Sequence, residues 1–251
     1  MGSGLQWETV QLPSLGIPYG SACPEGKVKV RSMTTQEEKL LSGPRNVLQY
    51  RLEEVVEKCV DLGSLKYTDL VMGDWMFLLL EVRNVTFGPE YDVDLVCETC
   101  AGRYKKVLKV PQDLKIRVLE VGVDSEPWEC KLPKSGKTLL LRSLRLGDDR
   151  AINTYEKETK DPSVNPGYTY RLAKHIVAID SKTVDNFSDA KSLVENMKSA
   201  DSMTILRCIQ SHECGPSFTI DLSCPKCGTS SKVRMPITAD FFLPGLSDLR
   251  E

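Results

Sequence analysis

The 251-residue chain lacks several features that would place it in a large class of proteins. Its longest apolar run, residues 75–80, is far shorter than the roughly 20 residues that a membrane-spanning helix needs. Its first residues contain neither a basic start nor an apolar run, so we expect no secretory signal. The formal net charge is only -2, so no overall field attracts the chain to nucleic acid or to anionic lipid. These absences predict a soluble intracellular protein that does not bind membranes.

Histidine is also scarce, since His175 and His212 are the only two. No Ser/His/Asp arrangement can be assembled from them, so we expect no catalytic residues and no small-molecule substrate. Residues 134–138 (KSGKT) resemble the end of a phosphate-binding loop. Lys131 stands where that motif requires glycine, so we interpret the segment as a turn.

Cysteine, in contrast, is abundant, with nine residues. Without a secretory signal, the reducing cytosol favours metal binding or thiol chemistry over disulfides. Two pairs, Cys97 with Cys100 and Cys224 with Cys227, have CxxC spacing. Cys23, Cys59 and Cys130 lie in no motif and are interpreted as ordinary buried or surface cysteines.

Three blocks of sequence recur in the same order along the chain. Residues 26–39 (GKVKVRSMTTQEEK) resemble residues 136–150 (GKTLLLRSLRLGDDR), since both run from Gly-Lys through an apolar stretch to Arg-Ser and then to an acidic pair. Residues 50–56 (YRLEEVV) resemble residues 170–177 (YRLAKHIV) in the same way.

The third block is the strongest. Residues 88–102 (GPEYDVDLVCETCAG) match residues 215–229 (GPSFTIDLSCPKCGT) in the Gly-Pro pair, the aromatic residue, the apolar-Asp-Leu step and both cysteines. Because all three blocks keep their order, we interpret the chain as two diverged copies of one unit rather than as two hairpins that converged.

The sequence therefore predicts an α+β protein of two tandem diverged repeats, related by a pseudo-twofold axis. Each repeat is expected to hold a strand, helices and a β-hairpin with a zinc knuckle. We predict an N-terminal extension over 1–25, a first repeat over 26–121, a linker over 122–135, a second repeat over 136–238 and a C-terminal tail over 239–251.

The alternation and periodicity of apolar residues predict the individual elements. Thr35 or Ser42 is expected to cap a helix, with Pro44 near its first turn. Residues 67–82 fit either a helix or a helix that leads into a strand, and residues 161–167 fit a loop. The predicted strands are residues 28–33, 92–96, 104–110, 115–121, 139–144, 218–223 and 231–237, and the other predicted helices are residues 47–60, 170–179 and 188–198.

Each hairpin turn offers two thiols in CxxC spacing, followed by a small residue. A closed structural zinc site needs four ligands, and each repeat supplies only two. We therefore predict that Cys97, Cys100, Cys224 and Cys227 share one structural Zn²⁺ as the two hairpins pack together.

Two alternatives to this ligand set remain open. Cys208, His212 and Cys214 could join Cys224 and Cys227 at a separate site, although the repeat offers no counterparts for them. The pairs could instead be free thiols, disulfides or redox centres. Redox pairs are favoured by a helix N-terminus, however, and these pairs are predicted in hairpin turns.

The opening of the chain also resembles a known family. Residues 12–20 (LPSLGIPYG), followed by residues 28–34 (VKVRSMT) and 37–39 (EEK), are similar to the baseplate hub and hub-assembly proteins of T4-like contractile-tailed bacteriophages. The resemblance is strongest over residues 12–60. It implies a non-enzymatic protein of the virion tail baseplate, assembled in the host cytoplasm, whose partners are other tail and baseplate proteins.

Two other functions compete with this one. Lysines and arginines near both CxxC turns would suit a cytosolic zinc-ribbon protein that binds nucleic acid or a transcription or translation complex. Acidic residues dilute these positive charges, so we do not expect nucleic acid to be a partner. The third function, a thiol oxidoreductase, requires reactive CxxC thiols in an otherwise stable fold.

Overall fold

The computed structural model describes residues 6–42, 48–159, 165–235, 237 and 239–244. Over these residues the chain is a mixed α+β protein with eight α-helices and five small antiparallel sheets, which confirms the predicted class. The helices are α1 (Thr35–Leu41), α2 (Leu48–Cys59), α3 (Met72–Phe87), α4 (Leu146–Glu158), α5 (Pro166–Lys174), α6 (Phe187–Glu195), α7 (Ser199–His212) and α8 (Ala239–Phe242).

The strands are short, and most pair with a neighbour in sequence. They are β1 (Trp7–Gln11), β2 (Lys27–Arg31), β3 (Val60–Asp61), β4 (Glu90–Val96), β5 (Arg103–Lys109), β6 (Lys115–Arg117), β7 (Trp128–Lys131), β8 (Thr138–Leu141), β9 (Ile176–Ile179), β10 (Lys182–Thr183), β11 (Gly215–Ser217), β12 (Thr219–Ser223) and β13 (Ser230–Arg234). Two sheets, β1-β2-β3 and β10-β9-β8-β7, each place a hairpin beside a later strand. Three two-stranded sheets, β4-β5, β12-β13 and β6-β11, complete the set.

Helix α1 follows β2 and helix α4 follows β8, and the two helices begin with the same arrangement of an arginine and a carboxylate. Arg31, at the end of β2, lies 3.1 Å from a carboxylate oxygen of Glu37, and Arg142, after β8, lies 2.6 Å from one of Asp148. Each arginine also donates to the carbonyl oxygen of the next residue at 2.9 Å. Each carboxylate accepts the N–H of the residue that caps the helix, at 2.7 and 2.9 Å, which satisfies a donor that the helix leaves free.

A buried aspartate anchors the loop after the first strand of each of these two sheets. Asp74, in the first turn of α3, accepts the N–H of Ser14 at 2.9 Å. Asp201, in the first turn of α7, accepts the N–H groups of Lys134 and Ser135 at 2.7 and 3.0 Å. These amides are occupied by a carboxylate of the protein, which agrees with the interpretation of residues 134–138 as a turn.

The described residues pack around two hydrophobic cores. The first contains the interior of β1 to β5 and α1 to α3, and it also takes in Ile220 of β12, Met235 and the aromatic rings of Phe241 and Phe242. The second lies between β7, β8 and β9 and helices α5, α6 and α7. The last hairpin and the C-terminal helix therefore pack on the first core, although they follow the second in sequence. None of the described helices is long and apolar enough to cross a membrane.

Several predicted elements differ from those in the structure. The helix predicted over residues 170–179 ends at Lys174, and β9 follows, because a short apolar run fits either kind of element. Helix α7 was not predicted, since its apolar positions are few and its burial depends on the second core. Strand β6 covers only the start of residues 115–121, and the expected linker, residues 122–135, contains β7.

Other details are corrected or resolved. Thr34, rather than Thr35, is the N-cap of α1, and Ser42 is the C-cap of the same helix. Residues 72–82 belong to one helix, α3, which settles the ambiguity over residues 67–82. The two copies of the second repeated block do not have the same structure at their last positions, because residues 55–56 lie in α2 whereas residues 176–177 lie in β9. Pro44 and residues 161–164 of the expected loop lie outside the described residues.

Candidate metal centre

The first CxxC pair lies in the turn of the β4-β5 hairpin. The strands pair in register from Glu90↔Lys109 to Val96↔Arg103. Within the turn, Cys97 N–H donates to the carbonyl oxygen of Gly102 at 3.0 Å, and Ala101 N–H donates to that of Cys97 at 2.8 Å. Ala101 adopts a left-handed conformation with a φ of 53°, which reverses the chain just after the second cysteine.

The second pair lies in a turn of the same geometry, between β12 and β13. Cys224 N–H donates to the carbonyl oxygen of Thr229 at 2.9 Å, and Gly228 N–H donates to that of Cys224 at 2.9 Å. Gly228 has a φ of 72° and occupies the place of Ala101. Glycine adopts this conformation without a steric penalty, so the sequence CPKCG forms this turn readily.

The two turns bring four thiols together. The sulfur of Cys97 lies 3.7 Å from that of Cys227, and the sulfur of Cys100 lies 3.8 Å from that of Cys224. All four sulfurs lie within 4.8 Å of one another, and two of the cysteines are buried. Zinc–sulfur bonds of about 2.3 Å in a tetrahedron place the sulfurs roughly 3.8 Å apart, so the donor set fits Zn²⁺. The distances are far too long for disulfides, and all four cysteines are free.

Local hydrogen bonds and neighbouring groups shift the pKa values of Cys97, Cys100 and Cys227 in different directions. The N–H of Cys100 bonds the sulfur of Cys97 and lowers the pKa of that thiol, and hydrogen bonds from Thr229 lower the pKa of Cys227 to about 6. The N–H of Gly102 lowers the pKa of Cys100, but the neighbouring thiols of Cys227, Cys97 and Cys224, together with desolvation, raise it to about 11. A bound dication would favour four thiolates, because metal coordination deprotonates cysteine.

Strands β6 and β11 hold the two hairpins side by side. Strand β6 follows the first hairpin, β11 precedes the second, and the two pair from Lys115↔Ser217 to Arg117↔Gly215. Gly215 has a φ of 110°, and a β-carbon there would lie 2.6 Å from the α-carbon of Gly73 in α3. The close packing of these two backbones therefore requires glycine at 215.

The residues of the alternative ligand set lie elsewhere. Among the described residues, the group able to hold a metal contains none of Cys208, His212 and Cys214. His212 stacks on Trp128 with 4.8 Å between ring centroids, and the sulfur of Cys208 lies 4.0 Å from its Nδ1 atom. Cys214 donates its S–H to Asp74 at 3.7 Å.

Several of the basic residues near the two turns face acidic residues. Asp94 of β4 lies opposite Lys105 of β5, and Asp221 of β12 lies opposite Lys232 of β13. Lys115 of β6 also lies 3.1 Å from Asp221. These hairpins therefore carry alternating charge, which differs from the clustered positive surface typical of nucleic-acid-binding proteins.

The sequence contains a further sign of repetition, and the structure makes it evident. Residues 12–16 (LPSLG) and 132–136 (LPKSG) share the pattern LPxxG, and these are the loops that Asp74 and Asp201 anchor. The two aspartates are separated by 127 positions, the spacing that also separates Cys97 from Cys224. A search for one constant spacing would have linked these pairs.

The fold and the site together define an α+β protein with a candidate four-cysteine metal site. A family model described as T4 bacteriophage base plate protein matches residues 17–243. The chain therefore belongs to this family, and it is a phage baseplate component. No curated protein and no solved structure matches it.

Proposed function

We propose that the chain is a structural or assembly protein of the hub region of a contractile phage tail baseplate, and that one structural Zn²⁺ clamps two duplicated halves. The observation that carries the zinc proposal is the convergence of four thiols from two turns of one geometry. The proposed ligands are Cys97, Cys100, Cys224 and Cys227. The metal would act as a crosslink, and we assign the chain no catalytic residues.

The order of elements supports a duplication. Each half runs through a hairpin, two helices, a strand, a helix and a second hairpin, from β1 to β5 and from β7 to β13, with β10, α6 and β11 added in the second half. The arginine–acid pair after the central strand and the aspartate-anchored loop recur at matching points. We therefore extend the proposed repeats outward from 26 and 136, so that they begin at β1 and at β7.

The pairing of the sulfurs supports a local pseudo-twofold axis. A twofold rotation that exchanges Cys97 with Cys224 also exchanges Cys100 with Cys227. It would convert the 3.7 Å contact between Cys97 and Cys227 into the 3.8 Å contact between Cys224 and Cys100. The near equality of these distances is what a metal on such an axis requires.

The proposed role of the metal follows from the short strands that surround it. Each hairpin has only two strands, and isolated two-stranded hairpins are marginally stable in water. A shared zinc would close a long loop of chain and fix the hairpins against each other, so its binding energy would be folding energy. A rigid unit suits a protein that must keep its shape in a contractile tail.

Metal content of the purified chain tests the site directly. We expect native mass spectrometry to find one zinc per chain, and none in the double variant Cys97→Ser/Cys224→Ser. Cys208→Ser is the matched control, because this thiol lies outside the cluster, and it should retain the metal. A wild-type chain without zinc under reducing conditions, or zinc retained by the double variant, would contradict the proposal.

Location tests the hub assignment separately. In cells infected with a phage that encodes an epitope-tagged chain, we expect the tag to co-purify with hub proteins and to label the centre of isolated baseplates in electron micrographs. Labelling of the baseplate rim would contradict a hub role while leaving the zinc proposal intact. A chain found with polysomes or DNA, in amounts that fall steeply with salt, would favour the nucleic-acid alternative.

A further inference from the structure

A cleft of about 560 Å³ opens between helices α3, α5 and α7. We call it the interhelical cleft. Its walls are largely apolar: Met72, Trp75 and Met76 contribute from α3, and Leu206 and Ile209 from α7. It lies away from the four thiols, and neither the fold nor the proposed metal site accounts for it.

One carboxylate in this cleft has no hydrogen-bond or ion-pair partner among the described residues. Glu213, just after α7, lines the cleft, and within the described part of the chain no hydrogen bond or ion pair to its side chain is present. Its backbone groups are occupied, since its N–H donates to Ile209 and its carbonyl accepts from Arg117. Burial raises the pKa of Glu213 to about 7, an effect that nearby Arg171 opposes and Glu126 reinforces.

The other charged groups of the cleft are already compensated. Arg171 lies 3.0 Å from Asp149, so these two charges form an ion pair. His175 is buried, and desolvation lowers its pKa to about 4, so it is neutral at physiological pH. The ionised form of Glu213 therefore leaves one uncompensated negative charge among apolar walls.

The first half has no such charge at the matching position. Counting back 127 positions, the counterpart of Glu213 is Thr86, whose hydroxyl oxygen accepts the N–H of Met33 at 3.0 Å. Leu144, which follows Arg142-Ser143 as Met33 follows Arg31-Ser32, lines the cleft beside Glu213. In the first half a hydrogen bond therefore joins these two positions, whereas in the second half both positions line the cleft.

We infer that the interhelical cleft receives a lysine or arginine side chain from a neighbouring baseplate protein. Its hydrocarbon stem would lie against Met76 and Leu206, and its cationic group would bind the carboxylate of Glu213. Trp75 lines the same cavity and supplies an aromatic ring, a group that attracts cations. This inference depends on the family membership and is independent of the zinc site.

The probe for this inference is n-hexylammonium, an analogue of a lysine side chain, and 1-hexanol is its uncharged counterpart. The full chain is labelled with ¹³C in its methionine methyl groups, which gives seven methionines to observe. Met72 and Met76 line the cleft, whereas Met33 and Met235 are buried in the first core and serve as internal references. We expect n-hexylammonium to shift the signals of Met72 and Met76 in a saturable manner.

Variants then separate recognition of the charge from apolar contact. Glu213→Gln should weaken n-hexylammonium binding by about tenfold, because a charge-assisted hydrogen bond is lost, and should leave 1-hexanol binding unchanged. Glu158→Gln removes an exposed carboxylate outside the cleft and should change neither. Gln210→Glu adds an acid to an exposed lining residue, does not endanger the fold, and should strengthen n-hexylammonium binding severalfold.

Three results would overturn the inference. The first is equal affinity of n-hexylammonium for the wild type and Glu213→Gln. The second is binding of 1-hexanol as tightly as n-hexylammonium to the wild type, which would make the cleft a generic apolar cavity. The third is sedimentation that reveals dimers of the chain that Glu213→Gln dissociates, since the occupant would then be a second copy.

Discussion

The two proposed halves of the chain share a few internal hydrogen bonds and differ in what covers their last helix. Helix α3 is buried in the first core, and its Arg83 is 2% exposed and donates to the carbonyl oxygens of Gly88, Glu90 and Phe241. Helix α7 carries Gln210 at the matching position, and that residue is exposed at the interhelical cleft. The shared features are those that fix a loop or a helix start within one half. The differences lie where each half meets other parts of the chain or its surroundings.

The strongest test of the comparison is at the two CxxC turns. If they are equivalent halves of one metal site, then Cys97→Ser and Cys224→Ser should each remove the zinc and lower the Tm by more than about 10 °C. Melting followed by circular dichroism, with metal content measured on the same samples, checks this. A large loss in one variant and none in the other would show that the turns are not equivalent.

The second test contrasts Arg83 with Gln210. Arg83→Met should reduce the free energy of unfolding by about 4 kcal/mol, because it leaves three carbonyl oxygens unpaired and removes the cation stacked on Phe241. Gln210→Ala should change it by less than about 0.5 kcal/mol, since that side chain is exposed. Urea unfolding of both variants gives the numbers, and similar losses would mean that α7 is as buried as α3.

The third test uses acid. His175 precedes β9 as Cys59 precedes β3, but only the histidine titrates in acid. Desolvation lowers the pKa of His175 to about 4 in the folded chain, so the unfolded chain binds the extra proton first as the pH falls below about 6.5. Stability from this group is therefore present above pH 6.5 and is lost as the pH falls towards 4, by about 3 kcal/mol in total.

A variant isolates this contribution from other acid-sensitive groups, including the thiols. The Nδ1–H of His175 donates to the carbonyl oxygen of Arg142 at 2.7 Å, and asparagine at 175 preserves a donor there. His175→Asn should show a smaller loss of unfolding free energy than the wild type between pH 6.5 and 4. Parallel curves for the two proteins would refute the assignment.

The smallest expected effect distinguishes Thr86 from Glu213. Thr86→Val removes the acceptor of the Met33 N–H and should destabilise the chain by about 1 kcal/mol. Glu213→Gln removes a half-buried carboxylate without a partner among the described residues, so it should be neutral or slightly stabilising at pH 8. Chemical unfolding at pH 8 measures both, and destabilisation by Glu213→Gln would reveal a structural partner for that carboxylate.

The sequence predicted the elements whose patterns are local. Alternation identified the hairpins of β4-β5 and β12-β13, and in β4 the alternate side chains Tyr91, Val93 and Leu95 are buried. The amphipathic pattern over residues 47–60 identified α2. The same patterns did not identify helix α7, and they did not distinguish strand β9 from the end of helix α5. The burial of both elements depends on contacts in the second core, and their apolar runs are short.

The residues of the candidate site could also be predicted from local sequence patterns, but the way in which the two hairpins meet could not. Repetition of CxxC in matched contexts identifies Cys97, Cys100, Cys224 and Cys227 from the sequence alone. The pairing of β6 with β11, which holds the hairpins together, could not be read from sequence, because strands as short as Gly215–Ser217 carry almost no periodic signal.

By itself, the sequence determined which short-range units form and which side chains could bind a metal, because turns, caps and alternating strands depend on neighbouring residues. Only the tertiary structure decided that the last hairpin packs on the first core, that four sulfurs meet within 4.8 Å, and that Glu213 faces a cleft. These features join residues that are far apart in the chain, and their energies depend on burial and on distances that no local pattern encodes.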